Sequence, residues 1–234
     1  MTTTWHGTFQ DRHGTEEVEI ENDGSEIHVT IRGVTFSGEP AALAPSAGTS
    51  VLEGLFDFDA DSGEPCSYTM RWGIPVKVMV DGRAVDAVLD CWIRLGDPRP
   101  RRHSGLDADD VRLALRYADT HVENQRIQGF WDDALEELHS HLPTGVFLIG
   151  CITCVWANDH YVGAGLGGLV RCFNPRQTAR QADPTFPRLS AWPFVQATWL
   201  CSEYEVQGRE RKPKTRSFRF PYSQRDDESQ QGTD

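Results

Sequence analysis

Ser67–Gly96 reads SYTMRWGIPVKVMVDGRAVDAVLDCWIRLG, two limbs rich in aromatic and β-branched residues on either side of Asp81-Gly82. An Asp-Gly pair between such limbs is a strong short-range hairpin signal, because both turn residues tolerate positive φ. Pro75 interrupts the first limb. A proline has no N–H for a ladder, so an edge strand or a bulge is expected there.

Working outward, the N-terminal side is also β-structure. TEEVEI (15–20) and EIHVTI (26–31) alternate apolar and polar residues around the turn-forming ENDGS, a second hairpin, and GVTFSG (33–38) continues it as a meander. EPAALAPSAGTS (39–50) reads as a loop by its Pro, Ala, Ser and Gly content. DPRPRRHSG (97–105) is another loop, and DVRLALRYA (110–118) alternates as a half-buried strand. One segment has a helical period. In FWDDALEELHSHLP (130–143), Trp131, Ala134, Leu135, Leu138 and Leu142 form one stripe and Pro143 ends it. TGVFLIGCITCVW (144–156) reads as a buried strand, and FVQATWLCSEYEV (194–206) as the last one. The Trp residues at 72, 92, 156, 192 and 199 fall on these apparent strands and are assigned to the core.

The order, many strands, one helix and then strands, predicts an α+β, mainly β fold: antiparallel hairpins in a sandwich-like sheet, one principal helix and a cysteine-rich C-terminal lobe. Residues 1–128 are the hairpin-rich part. Residues 129–207 are the helix and the cysteine and glycine motif, packed on the same domain. Residues 208–234, which include GRERKPKTRSFRF, have a charged composition that predicts a disordered tail.

Bulk composition excludes some roles. The 234 residues carry 35 Asp and Glu against 23 Lys and Arg, a net charge of −12. Phosphate-backbone binding runs on counterion release by basic residues, so nucleic acid is not the expected partner. A basic protein surface is. No apolar run of about 18 residues occurs, so neither a transmembrane helix nor a membrane partner is expected. The opening MTTTWHGTFQDRHG has no basic region followed by an apolar stretch, so no secretory signal is expected and the chain reads as cytoplasmic. In that compartment its six cysteines are thiols or metal ligands, not disulfides.

Chemistry concentrates in CITCVWANDHYVGAGLGGLVRCF, residues 151–173. Gly163-x-Gly165-x-x-Gly168 has the form of a dinucleotide fingerprint, but the mechanism needs a strand that turns directly into a helix. Polar ANDHY precedes the glycines and Asn174-Pro175 follows them, so no nucleotide is expected. Cys151 and Cys154 have the spacing of a zinc knuckle, in which amides hydrogen-bond to sulfur. With Cys172 and Cys201 they make four thiolates, enough for a closed tetrahedral site. Four buried core thiols satisfy the same sequence. Cys66 and Cys91 have no paired spacing and read as core.

These residues resemble an uncharacterised bacterial family known only as a domain of unknown function. Its signature is C-x-x-C, then G-x-G-x-x-G, then Cys-Phe, with a later lone cysteine. IRGVTFSG, PCSYTMRWGIPVKV, LEELHSHLP and VQATWLCSEYE resemble it as well, so the likeness spans roughly residues 27–206. It implies that Cys151, Cys154, Cys172 and Cys201 form one recurrent set, which favours zinc over core thiols. The chain departs from the family in having Ala157-Asn158-Asp159-His160-Tyr161 where members usually have Ser-Asp-Tyr-x-Pro, and Ala197 where they usually place Glu. The likeness carries no activity with it.

Two functions follow. The first is a zinc-stabilised binding or interaction protein, such as an inhibitor or immunity-like protein for a basic partner. The second is a metal-assisted hydrolase or biosynthetic tailoring enzyme acting on a small molecule, with Asp159 and His160 as its acid–base pair. Three weaker motifs point nowhere. Glu136-x-x-His139 lacks a second copy, His139 and His141 diverge on a helix, and DFDADSGE (57–64) misplaces the glycine of a calcium loop.

Overall fold

The computed structural model describes residues 2–39, 42–52, 54–60, 62–99, 105–127, 130–158, 169–172, 174 and 194–206. Two antiparallel meanders make its body. The first runs β1 (Thr3–Asp11), β2 (Gly14–Asn22), β3 (Ile27–Ile31), β4 (Val34–Glu39) and β5 (Ala42–Pro45). A short helix α1 (Thr49–Leu52) and a two-residue ladder of β6 (Asp57–Phe58) with β7 (Pro65–Cys66) lead to the second. That meander is β8 (Tyr68–Val80), β9 (Arg83–Leu95), β10 (Asp109–Tyr117) and β11 (Thr120–Glu123). Pairing of β1 with β8 fuses the two, giving the order β11-β10-β9-β8-β1-β2-β3-β4-β5 in one curled sheet.

The β8–β9 hairpin pairs from Tyr68↔Leu95 to Val80↔Arg83, turning on Asp81 (φ 47°) and Gly82 (φ 79°) as the sequence predicts. β8 is not an edge, however. Its other side is shared by two strands, β1 along Thr69–Trp72 and β12 (Phe147–Ile149) along Lys77–Met79. Pro75 falls in the interval between them, where no neighbour asks for the missing N–H.

Alternation then separates two faces. Met70, Trp72, Ile74 and Val78 of β8, with Leu89, Cys91 and Ile93 of β9, point into the core beside Ile20, Val29 and Phe36. The helix α2 (Trp131–Ser140) closes this face through the predicted stripe, and its Trp131 stacks on Trp72 with centroids 5.7 Å apart and planes 12° off parallel. Asp132 and Asp133 occupy the first turn of α2, where the macrodipole favours negative charge.

Three local expectations are corrected. Residues 42–45 are a strand and not a loop, because β4 offers an open edge that Ala and Pro composition cannot signal. The predicted strand over 144–156 is limited to β12 and ends at Gly150, after which Cys151–Thr153 form a 3-10 turn. The last strand stops at Gln196, so Cys201 lies in a turn and not mid-strand. Trp156 and Trp199 therefore lie off the strands, and Trp192 lies outside the described residues.

His139, in the last turn of α2, is 4% exposed, and burial holds its pKa down to about 4. The folded chain keeps the ring neutral while the unfolded chain protonates near 6.5. Stability is therefore full above pH 6.5 and is lost as pH falls towards 4. Between pH 7.5 and 5 we expect urea unfolding to report a loss of about 2 kcal/mol, which His139→Gln should largely abolish.

Candidate thiol site

The cysteine lobe grows from the end of β12. Gly150 is fully extended, and a Cβ there would stand 3.0 Å from the Ala197 carbonyl oxygen, so the chain passes close to the strand that follows. That passage lets Cys151 N–H donate to the Trp199 carbonyl (2.7 Å) and Ile152 N–H to the Ala197 carbonyl (2.8 Å). Thr153, wholly buried, sets its hydroxyl 2.7 Å from the Leu148 carbonyl and 3.0 Å from the Tyr204 hydroxyl. Val155 N–H donates to the Glu205 carbonyl (2.9 Å). A small sheet of β13 (Ala157–Asn158), β14 (Leu169–Cys172) and β15 (Phe194–Gln196) completes the lobe. It touches the body at the β2–β3 turn: Asn22 donates its side-chain amide to Gln196 (2.7 Å), and Gln196 N–H donates to the Gly24 carbonyl (2.8 Å).

These contacts bring four cysteines from three segments together. Cys151 starts the 3-10 turn, Cys154 ends it, Cys172 ends β14 and Cys201 follows β15. The first three are buried and Cys201 is half-buried. Cys151 senses the charge of the other three sulfurs, and Cys154 and Cys172 both sense Cys201. Cys66 and Cys91 are buried elsewhere, Cys91 in the central sheet.

Three of the four sulfurs share one local geometry. Cys154 accepts the amide N–H of Trp156, Cys172 that of Asn174 and Cys201 that of Glu203, each two residues on. Cys154 also accepts from Glu205. Amide dipoles aimed at sulfur favour the thiolate. Burial opposes them and pushes the thiols of Cys154 and Cys172 up. At Cys201 the thiol of Cys151 donates directly to sulfur and brings the pKa down to about 6, while the Cys151 thiol is pushed up by the same bond and by burial. The Cys151–Cys201 bond thus favours one thiol and one thiolate, while burial favours the neutral thiol at Cys154 and Cys172.

As the side chains stand, no group of three or more His, Cys, Asp or Glu among the described residues is placed to hold a metal ion. Asp159, His160 and the glycines 163–168 lie outside the described residues, as does 208–234. Among the described residues, no helix is long and apolar enough to cross a membrane.

One family matches the chain over residues 3–157, a family of unknown function (DUF6304). The match takes in Cys151 and Cys154 and ends before Cys172 and Cys201. No curated protein and no solved structure matches the chain.

Proposed function

We propose, for a chain that belongs to this family of unknown function, a binding role in which zinc fastens the C-terminal lobe to the sheet. Cys151, Cys154, Cys172 and Cys201 would be its ligands. The repeated bond from the amide two residues on to sulfur carries this reading, because it stabilises thiolates at three separate turns. A core thiol has no need of such a bond, whereas a zinc knuckle does. Zinc would supply structural cross-linking of these turns, in addition to the hydrogen bonds that already join them.

The partner we propose is a protein with a basic surface. Besides the net charge of −12, β2 presents Glu17, Glu19 and Glu21 in an exposed row. Their cross-strand neighbours are Thr8, His6, Thr4 and His28, none of them a lysine or arginine. Such a stripe steers a basic partner at low salt.

The first test is zinc content of the purified full chain. We expect one zinc per chain, and Cys154→Ser should lower zinc content and melting temperature together. Because three thiols must shed protons to bind, apparent zinc affinity should rise steeply from pH 6.5 to 8.5. A zinc-free chain whose Cys201 is alkylated rapidly at pH 7 would favour thiol chemistry and the enzyme reading instead.

A further inference from the structure

Register places five side chains in one row across the outer face of the sheet, the face opposite α2. Glu17 of β2 pairs with Thr8 of β1, Thr8 with Arg71 of β8, Arg71 with Trp92 of β9, and Trp92 with Arg112 of β10. From its place on an apparent strand Trp92 reads as core. Parity says otherwise, since it shares a face with Asp90 and Arg94, while Cys91 and Ile93 point inward. In the neighbouring row Asp90 has Gly73 on one side and Ala114 on the other. Small residues beside a row of large ones leave a groove of about 560 Å³ lined by His6, Thr8, Arg71, Asp90, Trp92 and Arg112, with Glu17 at its end.

Three donors of the groove have no acceptor among the described residues. The indole Nε1 of Trp92 is buried without a hydrogen-bond partner among them. Arg112 lies over the Trp92 ring at 5.5 Å, and among the described residues neither it nor Arg71 has an ion pair. The other arginines of this face are matched: Arg116 binds both oxygens of Asp90, and Arg94 stands 3.7 Å from Asp110. Carboxylates outnumber basic residues 35 to 23 in this chain. Two arginines left unmatched on either side of one tryptophan are therefore a specific arrangement. Adjacent strands are about 4.8 Å apart, so both guanidinium groups and the indole N–H can reach one bound group.

We infer that this groove binds a small-molecule oxyanion, a carboxylate or phosphate held between Arg71 and Arg112 and hydrogen-bonded by Trp92. The volume falls in the range of small-ligand sites, roughly 300–1,000 Å³. The acidity of the chain as a whole argues against a polyanion such as nucleic acid. Asp90 is already neutralised by Arg116, which leaves Glu17 as the carboxylate that opposes the anion from the end of the row.

Calorimetry of the full chain with phenyl phosphate, benzoate and inorganic phosphate tests this. We expect saturable one-to-one binding of phenyl phosphate or benzoate, with inorganic phosphate weaker than phenyl phosphate. The tighter of the first two identifies the headgroup. Arg71→Gln and Arg112→Gln, both at exposed positions, should each weaken binding at least tenfold. Glu17→Gln should tighten it several-fold, and Trp92→Phe should weaken it by removing the N–H. Should the wild-type chain bind neither phenyl phosphate nor benzoate, the inference is overturned. It is equally overturned if the arginine variants bind like wild type, the result expected of a cross-strand ladder that only braces the sheet. If an arginine variant fails to fold, Glu17→Gln decides alone: unchanged affinity overturns the site.

Discussion

Replacing Arg32 by Met should destabilise the protein by about 3–5 kcal/mol, the usual effect of stripping one partner from a buried ion pair. Arg32 begins the β3–β4 turn at φ 51°. Its guanidinium grips Asp11 at the end of β1 through two bonds of 2.6 and 2.7 Å, reaches Glu16 on β2 at 2.6 Å, and donates to the Leu55 carbonyl at 2.8 Å. It also lies over Phe9 and Phe56, at 5.7 and 5.3 Å. Methionine keeps the apolar stem over those rings and meets the same backbone strain, so the comparison isolates the charge. What remains is an Asp11 carboxylate with a side chain 6% exposed and only the His13 amide to bind. Burial raises the Asp11 pKa, but the bonds from Arg32 and the His13 amide outweigh it and hold the group below the ordinary aspartate range. A depressed carboxylate stabilises at neutral pH and loses that contribution as pH falls through its folded pKa. In the variant the carboxylate is no longer held down. The stability gap should therefore narrow in acid as Asp11 protonates, and Asp11→Asn should recover most of it at pH 7. Urea unfolding of wild type, Arg32→Met and the double variant at pH 7 and pH 4 measures all three. A gap that does not change with pH would show that the lost guanidinium contacts, and not the stranded charge, dominate.

Trp131→Ala should destabilise by about 3–5 kcal/mol and lower the melting temperature by on the order of 10 °C. Trp131 is 2% exposed and stacks flat on Trp72, which ties α2 to β8. Alanine would leave a cavity that neither the helix nor a fully paired strand can close. Leu135 and Leu138, at 0% and 1% exposure, continue the same stripe. Trp131→Phe should retain more than half of the lost stability, since it keeps a ring against Trp72. Equal losses for Ala and Phe would mean that the indole is held by something other than stacking.

The parts of this protein that were legible in its sequence are local. Asp81-Gly82 and the turn around Asp23-Gly24 mark hairpins because positive φ is a property of one or two residues. The 130–142 helix is legible because a 3.6-residue stripe needs only a dozen positions to show itself. The cysteine set was half legible. The C-x-x-C spacing marks Cys151 and Cys154, but nothing near Cys201 announces that its turn will meet theirs. Trp92 is legible too, though by parity and not by strand membership: alternation with Asp90 and Arg94 places it on the polar face.

Sequence by itself thus determined β2, β3, β4, β8, β9 and β10 and the one long helix, but not β1, β5 or β11, since periodicity and turn chemistry act over a few residues. Only the tertiary structure decided how they join. The β1–β8 pairing that fuses two meanders links residues about sixty apart by backbone bonds, and its one side-chain demand, a glycine at position 7 where a Cβ would meet the Arg71 carbonyl oxygen, is too small to stand out as a motif. The same holds for the edge that turns Ala42–Pro45 into a strand and for the gap beside β8 that accommodates Pro75. It holds too for the row that sets Arg71 and Arg112 on either side of Trp92, because register is a relation between strands.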